Sequence, residues 1–424
     1  MENKFWVKLD NAGKIYPAAR SRRWMQMFRI SVTLNEDIDT ELLALAQKRT
    51  LKRLPTFSCS LKKGLFWYYL DHSEKTSSPE EDVKNPMVRM KLSKDNPFLF
   101  RIRYYNKHVA IEVFHVLTDG KGALIFLMTM IREYLQLRYG ENIPTNSFIL
   151  SCDDTPTKDE LADKFLEIAR KATLSRKEKP AYHVKGTPVE KHWLSIINGT
   201  IPTDKLAAKA KEYGVSISIF IASLMILSIQ EIQQKDHSPR KRKTTIKISI
   251  PVDLRNIYKT NTIRNFSSYV NIGINSALGR FSFEEILVQM KHAAGMEITE
   301  KNLNAKVSQN VSTERSIFIR PIPLVIKTKI MKMIFNMQGT RYNSSTLSNL
   351  GVIKLPEEME KYITHIDCQG GAPNRNSSIC ACISYLGETT ISFSSVIKET
   401  EFERFFFTSL IKMGIPVKIE SNRR

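Results

Sequence analysis

Six consecutive residues, His115-Val116-Leu117-Thr118-Asp119-Gly120, bring an imidazole, a carboxylate and a glycine into one short stretch. Histidine ionises near neutrality, so a positioned His115 can take a proton from a hydroxyl, an amine or a thiol. Asp119 can lock the loop that holds the imidazole, through an arginine, and so fix the ring's tautomer and direction. Each residue also has a structural role open to it. A histidine at a strand end can be an ordinary packing residue, and Asp-Gly before a helix is a turn and an N-cap.

Two stretches far along the chain are of a kind that completes such a site. One is Pro251-Val252-Asp253-Leu254-Arg255, followed nine residues later by Arg264-Asn265-Phe266. Arg255 can reach a carboxylate at a junction between lobes, or make a surface salt bridge. The other is Thr346-Leu347-Ser348-Asn349-Leu350-Gly351. The hydroxyls of Thr346 or Ser348 can donate to a developing oxyanion, or simply cap a turn.

The elements that must position these residues follow from periodicity. Val109, Ile111 and Val113 alternate with Ala110, Glu112 and Phe114, which predicts a strand ending at His115. Asp119-Gly120 then opens an amphipathic helix with Leu124, Leu127, Met128, Ile131 and Leu135 on one face. A histidine at such a strand end projects into a cleft rather than a sheet core. Upstream, strands are expected at Met25–Thr33 and Leu65–Leu70, and a helix at 38–50. Downstream, 151–190 reads as a connection between lobes, and Ser216 or Ser218 caps an apolar helix through Ile229. Residues 237–243 read as a solvated loop carrying four cations. Strands at 245–250, 269–274, 363–368, 379–385 and 389–396 alternate with helices at 283–294 and 401–413, and Pro251 closes the first of these strands. This mixture suggests α/β lobes built on open sheets.

Composition sets the frame. A chain of 424 residues exceeds a usual single core, and 42% hydrophobic residues can fill two. Sixty-four Lys and Arg against 43 Asp and Glu leave a net charge of +21. Such a field draws polyanions, whether nucleic acid, anionic lipid or a phosphate-rich cofactor, or it reflects evenly solvated charge. The basic residues are spread along the chain and carry no recognised nucleic-acid motif, so a nucleic-acid partner is not expected. Cys59, Cys152, Cys368, Cys380 and Cys382 have no zinc spacing and suit reduced, mostly buried thiols; no metal is expected. The start lacks the apolar run of a signal peptide, and Val215–Ile229 falls short of a bilayer span, so a cytoplasmic protein without a membrane span is the expectation.

The histidine motif, Pro251–Arg255 and Ser348-Asn349-Leu350-Gly351, in this order and spacing, resemble the HxxxDG acyltransferase superfamily. It includes chloramphenicol acetyltransferase, dihydrolipoyl acyltransferases, condensation domains of peptide synthetases and polyketide-associated acyltransferases. The opening, Leu9 to Leu70, with Leu54-Pro55-Thr56-Phe57 and Gly64-Leu65-Phe66-Trp67-Tyr68-Tyr69, resembles bacterial alcohol acetyltransferases. The resemblance implies an α/β fold of two pseudo-symmetric chloramphenicol acetyltransferase-like lobes, 1–175 and 176–424, with mixed sheets and an active-site tunnel between them. It implies His115 as general base, Asp119 as a structural residue, Gly120 for the tight turn, and Ser348 as a loose match to the oxyanion position. Arg255 and Asn349 would be structural at the site.

The implied reaction moves an acyl group, acetyl first among them, from acyl-CoA or a carrier thioester to a small alcohol, amine or thiol. Acetyl-CoA would be a cosubstrate, with no cofactor bound permanently and a monomer as the working unit. Phe114 stands where many condensation domains have a second histidine, which favours a free-standing acyltransferase. The alternative is a non-catalytic acyltransferase-like protein that binds a ligand or partner. Titration with CoA beside a turnover assay separates the two.

Overall fold

The strand that carries the histidine motif forms as its alternation requires. The computed structural model describes residues 6–20, 25–75, 77–170, 178–317, 319–338, 341–372 and 376–423. In it, His108–Phe114 is the middle strand of a five-stranded sheet ordered Ile363–Gly370, Met27–Leu34, His108–Phe114, Phe100–Tyr105 and Glu80–Glu81. Val109, Ile111 and Val113 are buried in one core with Leu43 and Ala46 of the helix Thr40–Arg53 and Leu124, Leu127 and Ile131 of the helix Gly120–Tyr139. On the opposite face, Glu112 is fully buried and is held by Arg29 at 3.0 Å and Arg101 at 2.5 Å. Two guanidinium partners are what keep a carboxylate tolerable at such depth.

The second sheet has seven strands, ordered Ser267–Ile274, Ile246–Asp253, Ser345–Val352, Ser378–Tyr385, Glu388–Ser395, Ser195–Pro202 and Lys418–Ser421. Ser345–Val352 runs parallel to both of its neighbours while the other pairs are antiparallel, so the sheet is mixed. Its core includes Phe220, Leu224 and Ile229 of the helix Ile217–Gln234, Ile286 and Met290 of Phe283–Glu297, and Phe406 and Leu410 of Glu401–Lys412. By length and composition Ile217–Gln234 could cross a membrane, but two thirds of it is buried in this core. Its cap is Ser216, whose Oγ accepts from the Ile219 amide at 3.3 Å. Cys380 and Cys382 lie on the same sheet face, buried in the same core as free thiols.

A late strand completes the edge of the first sheet. Ile363–Gly370, late in the chain, pairs antiparallel with Met27–Leu34 of the first sheet, Ile366 opposite Val32 and Asp367 opposite Ser31. The boundary at 175/176 falls outside the described residues.

Other elements differ from the sequence reading. The aromatic strand starts three residues later, at Tyr68–His72, because Gly64–Trp67 closes a hairpin with Cys59–Lys63 through the Gly64 amide and Trp67 carbonyl. Pro251 continues its strand to Asp253, since the neighbour Ser345–Val352 pairs only as far as Ser249 and requires no amide at 251. The cations at 240–242 sit on a short helix, Pro239–Arg242, rather than in an open loop. Helices Glu300–Arg315 and Leu324–Gln338 were not foreseen; their polar and lysine-interrupted sequences lack a clean apolar stripe.

Candidate active site

His115 begins the turn after its strand, and its amide donates to the Gln26 carbonyl at 2.9 Å. Leu117 donates back to Phe114 at 3.0 Å, so the chain reverses within four residues. The imidazole is gripped by two rings. Tyr16 stacks on it with centroids 4.8 Å apart, and Phe28 meets it edge-on at 5.0 Å. Burial, with Asp10 and Asp119 nearby, pushes the Tyr16 hydroxyl well above its ordinary range, so it stays protonated.

The ring's tautomer is set by Asn265. The Asn265 Nδ2 donates to the His115 carbonyl and to the Asp10 carboxylate, each at 3.2 Å. Both partners are acceptors, so the amide nitrogen must point at them and Oδ1 is left facing His115 Nδ1 at 3.0 Å. Nδ1 therefore carries the proton and donates it. The lone pair of the neutral ring lies on Nε2, as a general base needs. Burial holds the His115 pKa below 6.5, outweighing the opposite pull of Asp119, so the ring is neutral at neutral pH.

Asp119 is the hub of the loop. Its Oδ1 caps the following helix at the Gly122 amide, at 3.2 Å, and accepts from Arg255 Nη2 at 2.9 Å. Its Oδ2 accepts the Phe266 amide at 2.9 Å. Arg255, also buried, donates to the carbonyls of Thr262 at 2.7 Å and Arg264 at 2.6 Å, and to Asp253 at 2.9 Å. One ion pair thus clamps the histidine loop onto the segment 262–266. That segment also carries Asn265 and Arg264, whose side chain reaches Asp10 at 3.3 Å.

The two glycines differ in role. Gly120 has no left-handed backbone, so the tight turn does not depend on it. A Cβ there would meet Leu350 Cδ2 at 2.8 Å, and the glycine instead lets Leu350 approach. Gly122 is the demanding position: a Cβ would collide with Thr118 Oγ1 and with the Ile263 carbonyl. Gly120-Lys121-Gly122 is too short a signal for a phosphate-cradling loop, and its second glycine serves close backbone packing instead.

The Thr346–Gly351 stretch is a strand rather than a segment end. Leu347 and Asn349 pair with Cys380 and Cys382, which face the second core, whereas Ser348 pairs with Ala381, which packs in the first. Ser348 therefore looks toward the histidine lobe, in one row with Ala381, Ser392 and Asn198. Asn349 ties the strand to the second lobe's apolar helix, its Nδ2 donating to Ser218 Oγ at 2.9 Å and its Oδ1 accepting the Gly351 amide at 2.8 Å. Among the described residues, Ser392 Oγ and Asn198 Oδ1 are buried without a hydrogen-bond partner. Cavities of about 500 and 260 Å³ open elsewhere, and His115 lines neither.

Solved structures of the same architecture span the whole chain. TRI101 of Fusarium sporotrichioides, solved with coenzyme A and T-2, superposes with a TM-score of 0.65 at 11% identity, over 99% of this chain and 100% of its own. The chain shares its fold. TRI3 trichothecene 15-O-acetyltransferase from the same organism matches with a TM-score of 0.60 at 11% identity, over 96% of this chain and 93% of its own. The condensation domain of the monacolin K polyketide synthase MokA gives 0.62 at 11%, over 96% of each chain. No family model and no curated protein sequence matches the chain. At identities this low the superpositions show a common fold, that of these acetyltransferases and condensation domains, and nothing finer.

Proposed function

We propose that the chain is an acyltransferase that moves an acyl group, acetyl first among candidates, from acyl-CoA or a carrier thioester to a small alcohol, amine or thiol. The observation that carries this reading is the neutral His115, its Nδ1 proton donated to Asn265 and its Nε2 left as the basic atom. Similarity to TRI101 solved with coenzyme A, and to an O-acetyltransferase, supports the choice of donor.

The acceptor's proton passes to His115 Nε2 as its oxygen, nitrogen or sulfur attacks the thioester carbonyl. The carbonyl π bond opens to an oxyanion, the tetrahedral adduct collapses, the C–S bond breaks, and the thiolate recovers the proton from His115. No acyl-enzyme is required. A positioned base contributes roughly 10²–10⁴-fold and one oxyanion donor about 2.7–4 kcal/mol. Ser348 is our candidate for that donor, because its strand face looks toward the histidine lobe. Substrates would meet in a tunnel between the lobes, where orientation supplies the remainder.

The test is acetyl-CoA offered with pooled alcohols, amines and thiols, products being read by mass spectrometry. The wild type should acylate at least one acceptor, and His115→Ala should remove most turnover while keeping the fold. An equal rate of thiol release by His115→Ala in the presence of a competent acceptor would sink the assignment.

A further inference from the structure

Beside the candidate site, the helix Leu324–Gln338 presents its apolar side to solvent. Val325 is 70% exposed and Met333 56%, with Ile326, Ile330 and Ile334 open beside them. Ile326, Ile330, Met333 and Ile334 recur at helical spacing on one face, and Lys329 and Lys332 are exposed along its edge. Leu65, 73% exposed, and Phe66 extend the apolar surface from the Gly64–Trp67 hairpin tip, with Lys62 and Lys63 exposed next to them in sequence.

The helix is fixed in place. Its first amide, at Leu324, donates to the Leu65 carbonyl at 2.8 Å. Lys327, almost fully buried, lies over the Trp67 ring at 3.5 Å and donates to the Phe66 carbonyl at 3.1 Å. The apolar side is thus held outward by contacts on the opposite side. Exposed apolar surface on this scale marks a contact with a partner or a lipid surface.

Charge decides between occupants. Between residues 315 and 356 the chain has seven Lys or Arg and no Asp or Glu. A second copy docked through the same face by two-fold symmetry would bring the same cations against it. An amphipathic helix with an apolar face and a lysine edge instead fits the boundary of an anionic bilayer: the side chains enter the acyl region and the ammonium groups meet headgroup phosphates. We infer that Leu324–Gln338, with the Leu65–Phe66 hairpin tip, docks the protein on an anionic membrane surface. The docked helix packs on Tyr16–Ala19, whose Tyr16 stacks on His115, so the site would lie close behind the lipid contact.

Flotation of the full chain with phosphatidylcholine vesicles, with and without phosphatidylglycerol, tests this without any turnover. The wild type should float with the phosphatidylglycerol vesicles and be released by salt. Ile330→Asp with Met333→Asp should abolish flotation without changing the thermal unfolding midpoint. Lys329→Glu with Lys332→Glu should lower partitioning by roughly tenfold or more. Three results would each overturn the inference: no flotation of the wild type at low salt; undiminished flotation of the Ile330→Asp, Met333→Asp protein; or a wild-type dimer by light scattering that this pair converts to monomer.

Discussion

Asn265 Oδ1 lies 3.0 Å from His115 Nδ1, although 150 residues separate them and each lies beside a different sheet. The base is therefore oriented from across the lobe junction, and movement of one lobe against the other would disturb the ring that performs the chemistry. Asn265 is a positioning residue in this arrangement, acting through His115.

Replacing Asn265 with Ala should lower kcat by about 10–100-fold, the range seen when a group orienting a functional histidine is lost. KM for acyl-CoA should change little, and a steady-state split of kcat from KM checks this. An unchanged kcat would show that Tyr16 and Phe28 alone hold the ring.

The pH profile follows from the buried imidazole. The active form is neutral and the folded pKa lies below 6.5, so kcat/KM should be level through neutrality and fall only as pH drops below 6.5. In the same acid range the native state binds fewer protons than the unfolded chain, so stability also declines there. Asn265→Asp places a carboxylate against Nδ1, raises the His115 pKa and should move the acid limb to higher pH. A limb unmoved by Asn265→Asp would contradict the assignment of that limb to His115.

Asp119→Asn should destabilise the fold by roughly 3 kcal/mol in denaturant unfolding, near the low end for breaking a buried ion pair. The low end applies because Arg255 keeps Asp253. A double change, Asp119→Asn with Arg255→Met, should cost less than the sum of its parts, since no buried charge is left unpaired.

Gly122→Ala should be far worse than Gly120→Ala. At 122 the obstacles are the Thr118 hydroxyl and a backbone carbonyl, whereas at 120 it is the mobile end of Leu350. We expect a loss of about 1–3 kcal/mol for Gly122→Ala and a smaller one for Gly120→Ala. Comparison of their thermal midpoints decides it.

Ser392→Ala should leave stability unchanged or raise it by about 1 kcal/mol, because the buried hydroxyl has no protein partner to lose. A clear destabilisation would show that a bound water or a neighbouring group satisfies it.

The histidine loop was legible because two local patterns meet there: alternation through Val113 and a helix start at Asp119. Its partners were legible only in part. Arg255 could be singled out as a cation able to reach a junction carboxylate, but nothing local in Asn265 marks it as the acceptor for an imidazole. Tyr16 and Asp10 lie in an opening stretch without periodicity, and only tertiary packing brings them to the ring. Leu65–Leu70 read as one strand because aromatic β-propensity masked the turn that Gly64 begins. Leu324–Gln338 escaped because lysines interrupt its apolar residues, the same arrangement that suits it to a surface of opposite charge.

The late strand at the edge of the first sheet has a consequence for synthesis. Met27–Leu34 and its neighbour His108–Phe114 leave the ribosome early, but the strand that covers the open edge of Met27–Leu34 ends at Gly370. At about 5–20 residues per second, that edge waits roughly 10–50 seconds for its partner. During this interval the nascent chain carries an unpaired β edge, the kind that recruits chaperones or stray strands. A gene split between the two lobes would leave each product incomplete, and activity should return only when both halves are made together.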